Sequence, residues 1–312
     1  MLNRINTFRW QSITETLLNA LKRFPVAATA TIGLCISLLL LVNLPYEQLK
    51  GSILYEPSYW YVWVGALPLA ASIVLCFENR LNPTIRHSVS LLAVLLWSLY
   101  GYISNDTPEH FFGALAFIAP IVTFFSSLFW VAFLKKDTDT SFWNFSYLLC
   151  IQILTGLLFA SVLAAGLSLA LFSTDTLFGC EFKSEMYSNI HVLCYTLFFP
   201  FYLLGNIPIA SITETKVHSF AQAWKILGLY ILLPLLILYG TILYAYLIKI
   251  IIQWQLPDGW VSALVSILTI GGTITLFILY PLCIQENRPL KFFRQWFGIL
   301  LLPLLILMTV GI

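Results

Sequence analysis

The sequence has very little charge. Only 10% of its 312 residues are Asp, Glu, Lys or Arg, whereas 60% are hydrophobic. A soluble domain usually carries charge on roughly a quarter of its residues. The formal net charge is only +2, so nothing in the charge balance points to nucleic acid or to an acidic partner. The shortage of charge therefore excludes an ordinary soluble domain and indicates a membrane protein.

The sequence also lacks the motifs of common enzymes and metal sites. It has no His-Glu-x-x-His, no Gly-x-Ser-x-Gly, no glycine-rich phosphate loop and no Cys-x-x-Cys pair. Acidic pairs occur at Asp137 with Asp139 and at Glu181 with Glu185, but solvated loop charge explains them more simply. We therefore predict no catalytic residue, no cofactor and no metal ion, and an enzyme is the less favoured class.

Long apolar runs are what the sequence does contain. About nine of them are long enough to cross roughly 30 Å of hydrocarbon. Continuous runs without two-residue alternation favour helices over the strands of a membrane barrel. We predict an all-α, polytopic transmembrane helical bundle over residues 26–312. Its spans lie near 26–44, 60–77, 88–103, 111–134, 145–172, 190–210, 227–252, 260–284 and 297–312.

The basic residues are distributed unevenly between these runs. All of the 16 Lys and Arg residues except Lys50, Lys183 and Lys249 fall in the N-terminal segment or in alternate gaps. Lys and Arg are retained on the cytoplasmic side of a membrane. We therefore predict a cytoplasmic N-terminus, and nine spans would then place the C-terminus outside. Of the six cysteines, Cys180 and Cys194 fall near the outer face, where a disulfide could persist; single buried thiols are the favoured state.

The first 25 residues form a separate segment with helical periodicity. Its apolar positions are Trp10, Ile13, Leu17, Leu21 and Phe24, and its polar positions are Gln11, Glu15, Asn19 and Lys22. This spacing predicts an amphipathic helix before Pro25 turns the chain into the membrane. The helix either lies on the inner leaflet or packs on the cytoplasmic loops.

Few polar side chains lie within the predicted spans. Asn206 belongs to a Gly205-Asn206-Ile207-Pro208 break, and Gly271-Gly272 interrupts the eighth span. Unwound backbone in transporters binds substrates and ions, whereas a kinked helix end is the alternative for Asn206. Lys249 lies one turn from the outer end of the seventh span, where its ammonium can snorkel to the headgroups or serve as a buried functional group.

Residues 225–312 carry the most distinctive pattern. It comprises Leu233-Pro234-Leu235-Leu236, then Trp254-Gln255-Leu256-Pro257-Asp258-Gly259-Trp260, then Glu286-Asn287-Arg288 and Leu301-Leu302-Pro303-Leu304-Leu305. This pattern resembles the bacterial multi-pass membrane proteins grouped as domain of unknown function 4153 (DUF4153). The resemblance implies a multi-pass protein of the bacterial inner membrane and supplies no catalytic residues. Resembling proteins continue beyond the last of these motifs, so we expect the reading frame to extend past Ile312.

The same residues have physical roles of their own. Pro257-Asp258-Gly259 is a tight-turn sequence, and Trp254 and Trp260 flank it as interfacial anchors. The seventh and eighth spans should therefore form a helical hairpin. On the inner side, Glu286, Asn287 and Arg288 begin a basic and aromatic segment that either orients the chain or binds anionic headgroups.

Two functions from different classes follow from these features. The first is a non-enzymatic structural, regulatory or partner-binding component of the membrane, with membrane lipids, protein partners or a second copy of the chain as its contacts. The alternative is a transporter of a small neutral or lipid-like solute, with a path lined by tyrosines, Asn206 and the glycine and proline breaks.

Overall fold

The computed structural model describes residues 11–50, 52, 56–78, 80–103, 111–133, 139–208, 226–253, 260–283 and 288–310. Regular secondary structure over these residues is helical, and none of them lies in a strand. The prediction of an all-α fold is therefore confirmed.

The helices follow the apolar runs in chain order. The first six are α1 (Gln11–Arg23), α2 (Pro25–Asn43), the single turn α3 (Tyr46–Leu49), α4 (Pro57–Phe77), α5 (Pro83–Ile103) and α6 (Phe111–Trp130). The next six are α7 (Asp139–Phe178), α8 (Ser184–Val192), α9 (Phe199–Asn206), α10 (Leu233–Gln253), α11 (Trp260–Cys283) and α12 (Arg288–Val310). A 3₁₀ turn at Val131–Phe133 extends α6.

Several helices extend beyond the runs that predict them. α5 begins at Pro83 and α12 begins at Arg288, so residues assigned to loops by the sequence lie in first turns. α7 continues on both sides of the predicted span. The reason is that hydropathy marks only the part of a helix that suits hydrocarbon. Backbone hydrogen bonds extend the helix into charged sequence at either end.

Within the described residues, five segments have the length and apolar composition needed to cross a membrane. They are Pro25–Asn43, Tyr59–Phe77, Phe145–Phe178, Ser184–Asn206 and Leu227–Gln253. Shorter apolar helices occupy Ala116–Trp130, Val261–Leu276 and Gln295–Ile306. The described chain is thus a set of apolar helices of the membrane type.

Two of the long segments contain a wide π-helical turn. One turn is Leu193–Phe198, between α8 and α9, and the other is Leu227–Leu232, before α10. Each is followed by one residue and then a proline, Pro200 or Pro234. A proline lacks the N–H that would continue the helical ladder. The two prolines therefore coincide with the places where the α-helical hydrogen bonding changes register.

The chain divides into two compact units. Unit 1 contains Met1–Leu158 and His191–Thr215, and unit 2 contains Phe159–Ile190 and Lys216–Ile312. In unit 1, α4 packs against α2, α5 and α6. Small residues on α4 permit this, because backbones that carry them can approach closely in lipid. The fully or nearly buried members are Ala66, Ala70, Ala71 and Ser72.

Trp97 of α5 lies directly on Gly65 of α4. A Cβ atom at Gly65 would stand 2.7 Å from the indole Nε1 of Trp97. That indole nitrogen donates a hydrogen bond to the carbonyl of Val62 at 3.0 Å. The absence of a side chain at Gly65 is therefore what lets a large aromatic residue reach the backbone of the neighbouring helix.

Prolines inside α4, α6 and α12 do not end these helices. Pro68, Pro120 and Pro303 all lie within continuous helical segments. Pro120 leaves the carbonyl of Ala116 without its helical donor, and the hydroxyl of Tyr100 on α5 donates to that carbonyl at 3.3 Å. A neighbouring helix thus satisfies the acceptor that the proline releases, as expected in membrane helices.

In unit 2, α10, α11 and α12 pack around a shared apolar core. The hydroxyl of Tyr239 on α10 donates to the carbonyl of Leu264 on α11 at 3.0 Å. The packing of α10 against α11 agrees with the predicted helical hairpin. The prediction that Gly271-Gly272 interrupts the eighth span is wrong, because α11 runs unbroken through both residues.

Gly272 has a packing role instead. A Cβ atom at this position would overlap the ring of Phe297 on α12. Two consecutive glycines lower helix propensity, but the surrounding helices supply enough packing to keep the segment helical. The sequence pattern marks a close helix crossing here rather than a break.

The predicted N-terminal amphipathic helix is present as α1, and its predicted apolar face is divided. Phe24, just beyond its end, is fully buried, as is Ala20, and α1 packs against α9 and α2. Leu17, Leu18 and Leu21 are 40%, 49% and 43% exposed. α2 begins at Pro25, a residue whose fixed φ suits the first turn of a helix. One side of α1 thus belongs to the core of unit 1, while a stripe of leucines stays open.

Five of the cysteines lie among the described side chains, and each is a free thiol. Cys35 and Cys194 are buried, Cys76 is half-buried, and Cys150 and Cys180 are exposed. Cys180 and Cys194 are accordingly unpaired, which agrees with the favoured prediction of single thiols over a disulfide.

Candidate functional site

Arg23, the last residue of α1, has several polar contacts within unit 1. Its Nε donates to Oε1 of Glu78 at 2.6 Å, and its Nη2 donates to Oε2 of Glu78 at 2.8 Å. Glu78 directly follows the last residue of α4. This bidentate geometry is the strong form of an arginine–carboxylate pair. The side chains are only 16% and 17% exposed, so water weakens the pair little.

The same guanidinium also reaches the end of α9. Nη1 donates to the carbonyl of Ile207, and Nη2 donates to the carbonyl of Pro208 at 3.0 Å. The chain leaves the helix at Ile207 with φ −56° and ψ 124°, so carbonyls at this end have no helical donors. The guanidinium carbon also lies 4.9 Å from the centre of the Phe24 ring. Arg23 thereby joins the ends of α1, α4 and α9, and we refer to this group as the Arg23 junction.

Neither Arg23 nor Glu78 is a predicted functional residue. The available signal was local: Glu78 is an acidic residue in a gap whose other charges, Arg80 and Arg86, are basic. An isolated carboxylate among basic residues at a span end suggests an ion pair, but its partner could not be chosen from several nearby cations.

Asn206 lies at the Arg23 junction as the last residue of α9. Its side-chain Nδ2 donates to the carbonyl of Tyr202 one turn earlier at 2.8 Å. The hydroxyl of Tyr202 in turn donates to Oε1 of Gln152 on α7 at 3.1 Å. Gly156, one turn along α7, is backed by the Tyr202 ring, since a Cβ atom there would stand 2.8 Å from Cδ1. The side-chain amide of Asn206 thus binds the backbone near the end of its own helix, α9.

Lys249 is the corresponding polar group of unit 2. Its ammonium Nζ donates to the carbonyl of Leu177 at 3.0 Å, in the last turn of α7. It also lies 5.3 Å from the ring centre of Phe178 and 5.8 Å from that of Tyr246. α7 ends through Gly179, whose φ of +66° suits a glycine after a helix. A cation at the carboxyl end of a helix is favoured by the helix dipole.

The other sequence-predicted positions are only partly described. Trp254, Pro257, Asp258, Gly259, Glu286 and Asn287 lie outside the described residues. Trp260 and Arg288 are the first residues of α11 and α12. Within the described part of the chain, no three His, Cys, Asp or Glu side chains lie together in a way that could hold a metal ion.

A buried cation, Arg86, lies close to the Arg23 junction. Arg86, in the first turns of α5, is 9% exposed, and its Nη1 reaches the carbonyl of Glu78 at 3.4 Å. Among the described residues, neither Arg86 Nε nor Nδ1 of the adjacent His87 has a hydrogen-bond partner. His87 precedes the predicted span 88–103. Its burial lowers the pKa of the imidazole, and the charge of Arg86 lowers it further.

Three features define a helical membrane protein. The chain has apolar helices of spanning length, a neighbouring helix satisfies the carbonyl freed by Pro120, and the Arg23–Glu78 ion pair lies at helix ends. The model of the family described as Domain of unknown function (DUF4153) matches residues 28–312, and the chain belongs to this family. The match covers far more of the chain than the 225–312 segment that carries the sequence resemblance. No curated protein and no solved structure matches the chain.

Proposed function

We propose that the chain is a multi-pass protein of the bacterial inner membrane with a cytoplasmic N-terminus and about nine spans. Its role is that of a non-enzymatic structural, regulatory or partner-binding component. The observation that carries this proposal is the Arg23 junction. There the guanidinium at the end of α1 donates to one carboxylate at the end of α4 and to two backbone carbonyls at the end of α9.

This chemistry is suited to holding helices rather than to transforming a substrate. Lys249 also donates to a carbonyl in the last turn of another helix, α7, and Asn206 donates to a carbonyl of its own helix. Donors used in this way stabilise a bundle, because unsatisfied carbonyls are costly in lipid. Of the residues that the sequence singled out, Asn206 and Lys249 therefore bind backbone carbonyls, which favours a scaffold over a path or a catalytic centre.

Affinity purification from native membranes tests the role. The tagged wild-type chain should retain a defined protein partner, and Arg23→Gln should lose it together with the ordered end of α1. Lys22→Gln is the matched control, since Lys22 is the exposed basic neighbour of Arg23. Solute flux through liposomes that contain the pure chain alone would contradict a purely structural or partner-binding role.

The membrane topology has its own test. Fusions of a reporter that is active only outside the cytoplasm should be inactive after Lys136 and active after Lys183. Alternation of activity through the successive gaps supports nine spans. Activity after Lys136 would overturn the proposed orientation.

The open leucines of α1 support a contact with inner-leaflet lipid. Leu17, Leu18 and Leu21 form an apolar stripe beside exposed Lys22, a pattern typical of helices that lie in the interface. A tryptophan at Leu18 should be quenched by brominated lipid, whereas a tryptophan at exposed Asn19 should be quenched much less. Equal quenching at the two positions would contradict this placement.

Transport is the second candidate, and the paired π-helical turns favour it. Leu193–Phe198 and Leu227–Leu232 have the same spacing to Pro200 and Pro234. π-helical turns occur frequently at functional sites, and broken helices supply transporter sites. A purified chain that carries solute across liposomes, and loses flux in Pro200→Ala or Pro234→Ala with normal expression, would establish transport. Absence of flux across a panel of neutral and lipid-like solutes would count against it.

A further inference from the structure

We propose that Arg86 is the centre of a site for a phosphate group at the start of α5. The first reason is the state of the side chain. Arg86 is 9% exposed, and a guanidinium keeps its positive charge in any protein environment. Its Nε donor has no partner among the described residues. A buried charge is tolerated when it is paired and hydrogen-bonded. We therefore expect an anion to bind Arg86.

The neighbouring carboxylate does not supply that anion. Both carboxylate oxygens of Glu78 accept hydrogen bonds from Arg23. Among the described residues, Arg86 contacts only the backbone carbonyl of Glu78, at 3.4 Å. A carbonyl at the end of α4 offers part of a negative charge. Arg86 thus lies beside the Arg23–Glu78 ion pair, whose charges cancel. The positive charge of Arg86 is not neutralised by that pair.

The position of Arg86 near the start of α5 is a second reason to expect an anion. Arg86 N bonds to the carbonyl of Asn82, and α5 begins at Pro83. The first amides of a helix have no helical acceptors and carry the positive end of its dipole. This end repels a cation such as Arg86 and attracts an anion. The next residue, His87, also has a buried ring nitrogen, Nδ1, without a partner among the described residues.

Phosphate is the anion that fits these donors best. The arginine fork binds two oxygens of a phosphate or carboxylate at once, and helix N-termini are common phosphate sites. The phosphate comes either from the headgroup of an anionic phospholipid or from phosphate in solution. The lipid source rests on the proposed cytoplasmic placement of this helix end, where anionic headgroups are abundant. The solution source does not depend on that placement.

Native mass spectrometry of the full chain in detergent distinguishes the two sources. With phosphatidylglycerol added, the wild-type chain should retain one lipid, and phosphatidylcholine should not replace it. Arg86→Gln should weaken retention by about tenfold, a change readily resolved in a binding titration. Arg80→Gln removes the same charge from an exposed position of the same gap and should change retention by less than about twofold.

The solution source is tested with inorganic phosphate. Phosphate should raise the melting temperature of the wild-type chain above that in chloride of equal ionic strength, and Arg86→Gln should abolish the difference. Stabilisation by phosphate without retention of phosphatidylglycerol assigns the site to a soluble phosphate compound. This result would support a phosphate site at Arg86, but it would no longer support the proposed membrane placement of this helix end.

Arg86→Lys provides a variant that keeps the positive charge if Arg86→Gln fails to fold. It should fold and still lose most of the lipid or phosphate binding, because an ammonium lacks the bidentate fork. Wild-type behaviour of Arg86→Lys would overturn the proposed geometry.

A carboxylate elsewhere in the chain is the competing counter-ion. Asp137 and Asp139 lie in the gap between the fourth and fifth predicted spans, and Glu214 lies in the gap between the sixth and seventh. Asp137→Asn, Asp139→Asn and Glu214→Gln should leave phosphatidylglycerol retention and the phosphate effect unchanged. The proposal fails if the wild-type chain shows neither effect. It also fails if one of these variants lowers the melting temperature as Arg86→Gln does and the two changes are not additive, since that result assigns Arg86 to an internal ion pair.

Discussion

Unit 1 and unit 2 each have a basic side chain at the end of a helix, and the two side chains are neutralised differently. Arg23 has a carboxylate, two carbonyls and an aromatic ring as partners. Lys249 has one carbonyl and two aromatic rings. The guanidinium can bind several acceptors in one plane, whereas the ammonium is a compact charge. An arginine can therefore connect three helix ends, whereas the lysine binds a carbonyl at the end of one helix.

The largest expected effect comes from Arg23→Gln, which leaves the Glu78 carboxylate buried without its cation. We expect a loss of about 3 kcal/mol in the free energy of unfolding, measured by denaturant titration in mild detergent. Lys22→Gln should have little effect. Adding Glu78→Gln to Arg23→Gln should restore part of the loss. A loss no greater than that of Lys22→Gln would show that the Arg23 junction does not hold unit 1 together.

Gly272→Ala tests the tightest packing in unit 2. The added methyl group would overlap the Phe297 ring, so we expect a loss of about 2 kcal/mol in the free energy of unfolding. Gly271→Ala is the matched control, because its Cβ would lie 3.6 Å from Leu236, an ordinary contact. Phe297→Leu should relieve most of the loss in Gly272→Ala. Equal effects of the two glycine substitutions would contradict the helix crossing described here.

Lys249→Met should have a smaller effect than Arg23→Gln. It removes one hydrogen bond and a favourable charge at the end of α7 while retaining the apolar length of the side chain. We expect a loss of about 1 kcal/mol, measured in the same titration. Lys183→Met, at an exposed position of unit 2, is the control. A loss as large as that of Arg23→Gln would remove the contrast between the two cations.

The smallest effect is expected for the hydroxyl groups that bind carbonyls near prolines. Tyr100 donates to Ala116 before Pro120 in unit 1, and Tyr244 donates to Leu300 before Pro303 in unit 2. Tyr100→Phe and Tyr244→Phe should each cost about 0.6 kcal/mol in unfolding free energy. In a Pro120→Ala background, Tyr100→Phe should cost less, because the new N–H of residue 120 can serve Ala116. An undiminished cost would contradict the proline-based explanation.

The helices themselves were largely predictable. Uninterrupted apolar runs indicated α2, α4, α7 and α10, since helix formation in lipid depends on local backbone bonds and side-chain hydropathy. The extents were less predictable at charged ends, as the start of α12 at Arg288 shows. Gly271-Gly272 was misjudged because propensity is local, whereas the packing of Phe297 on Gly272 depends on another helix.

The polar sites were predictable only as isolated positions. Asn206 and Lys249 could be selected because polar groups are rare in the spans, but their partners could not be named. The hydrogen bond from Lys249 joins residues 72 positions apart. Arg86 was counted among basic loop residues, and its burial follows from the packing of α5 on α4.

The sequence by itself determined the helical class, the approximate helix positions, the family pattern and the uneven distribution of basic residues, because each depends on neighbouring residues or on transfer into hydrocarbon. Tertiary structure alone decided which polar groups meet. Arg23 binds Glu78 across 55 positions and Ile207 across 184. Separations of this size are set by helix packing, since no local rule selects one acceptor over the others that an arginine could reach.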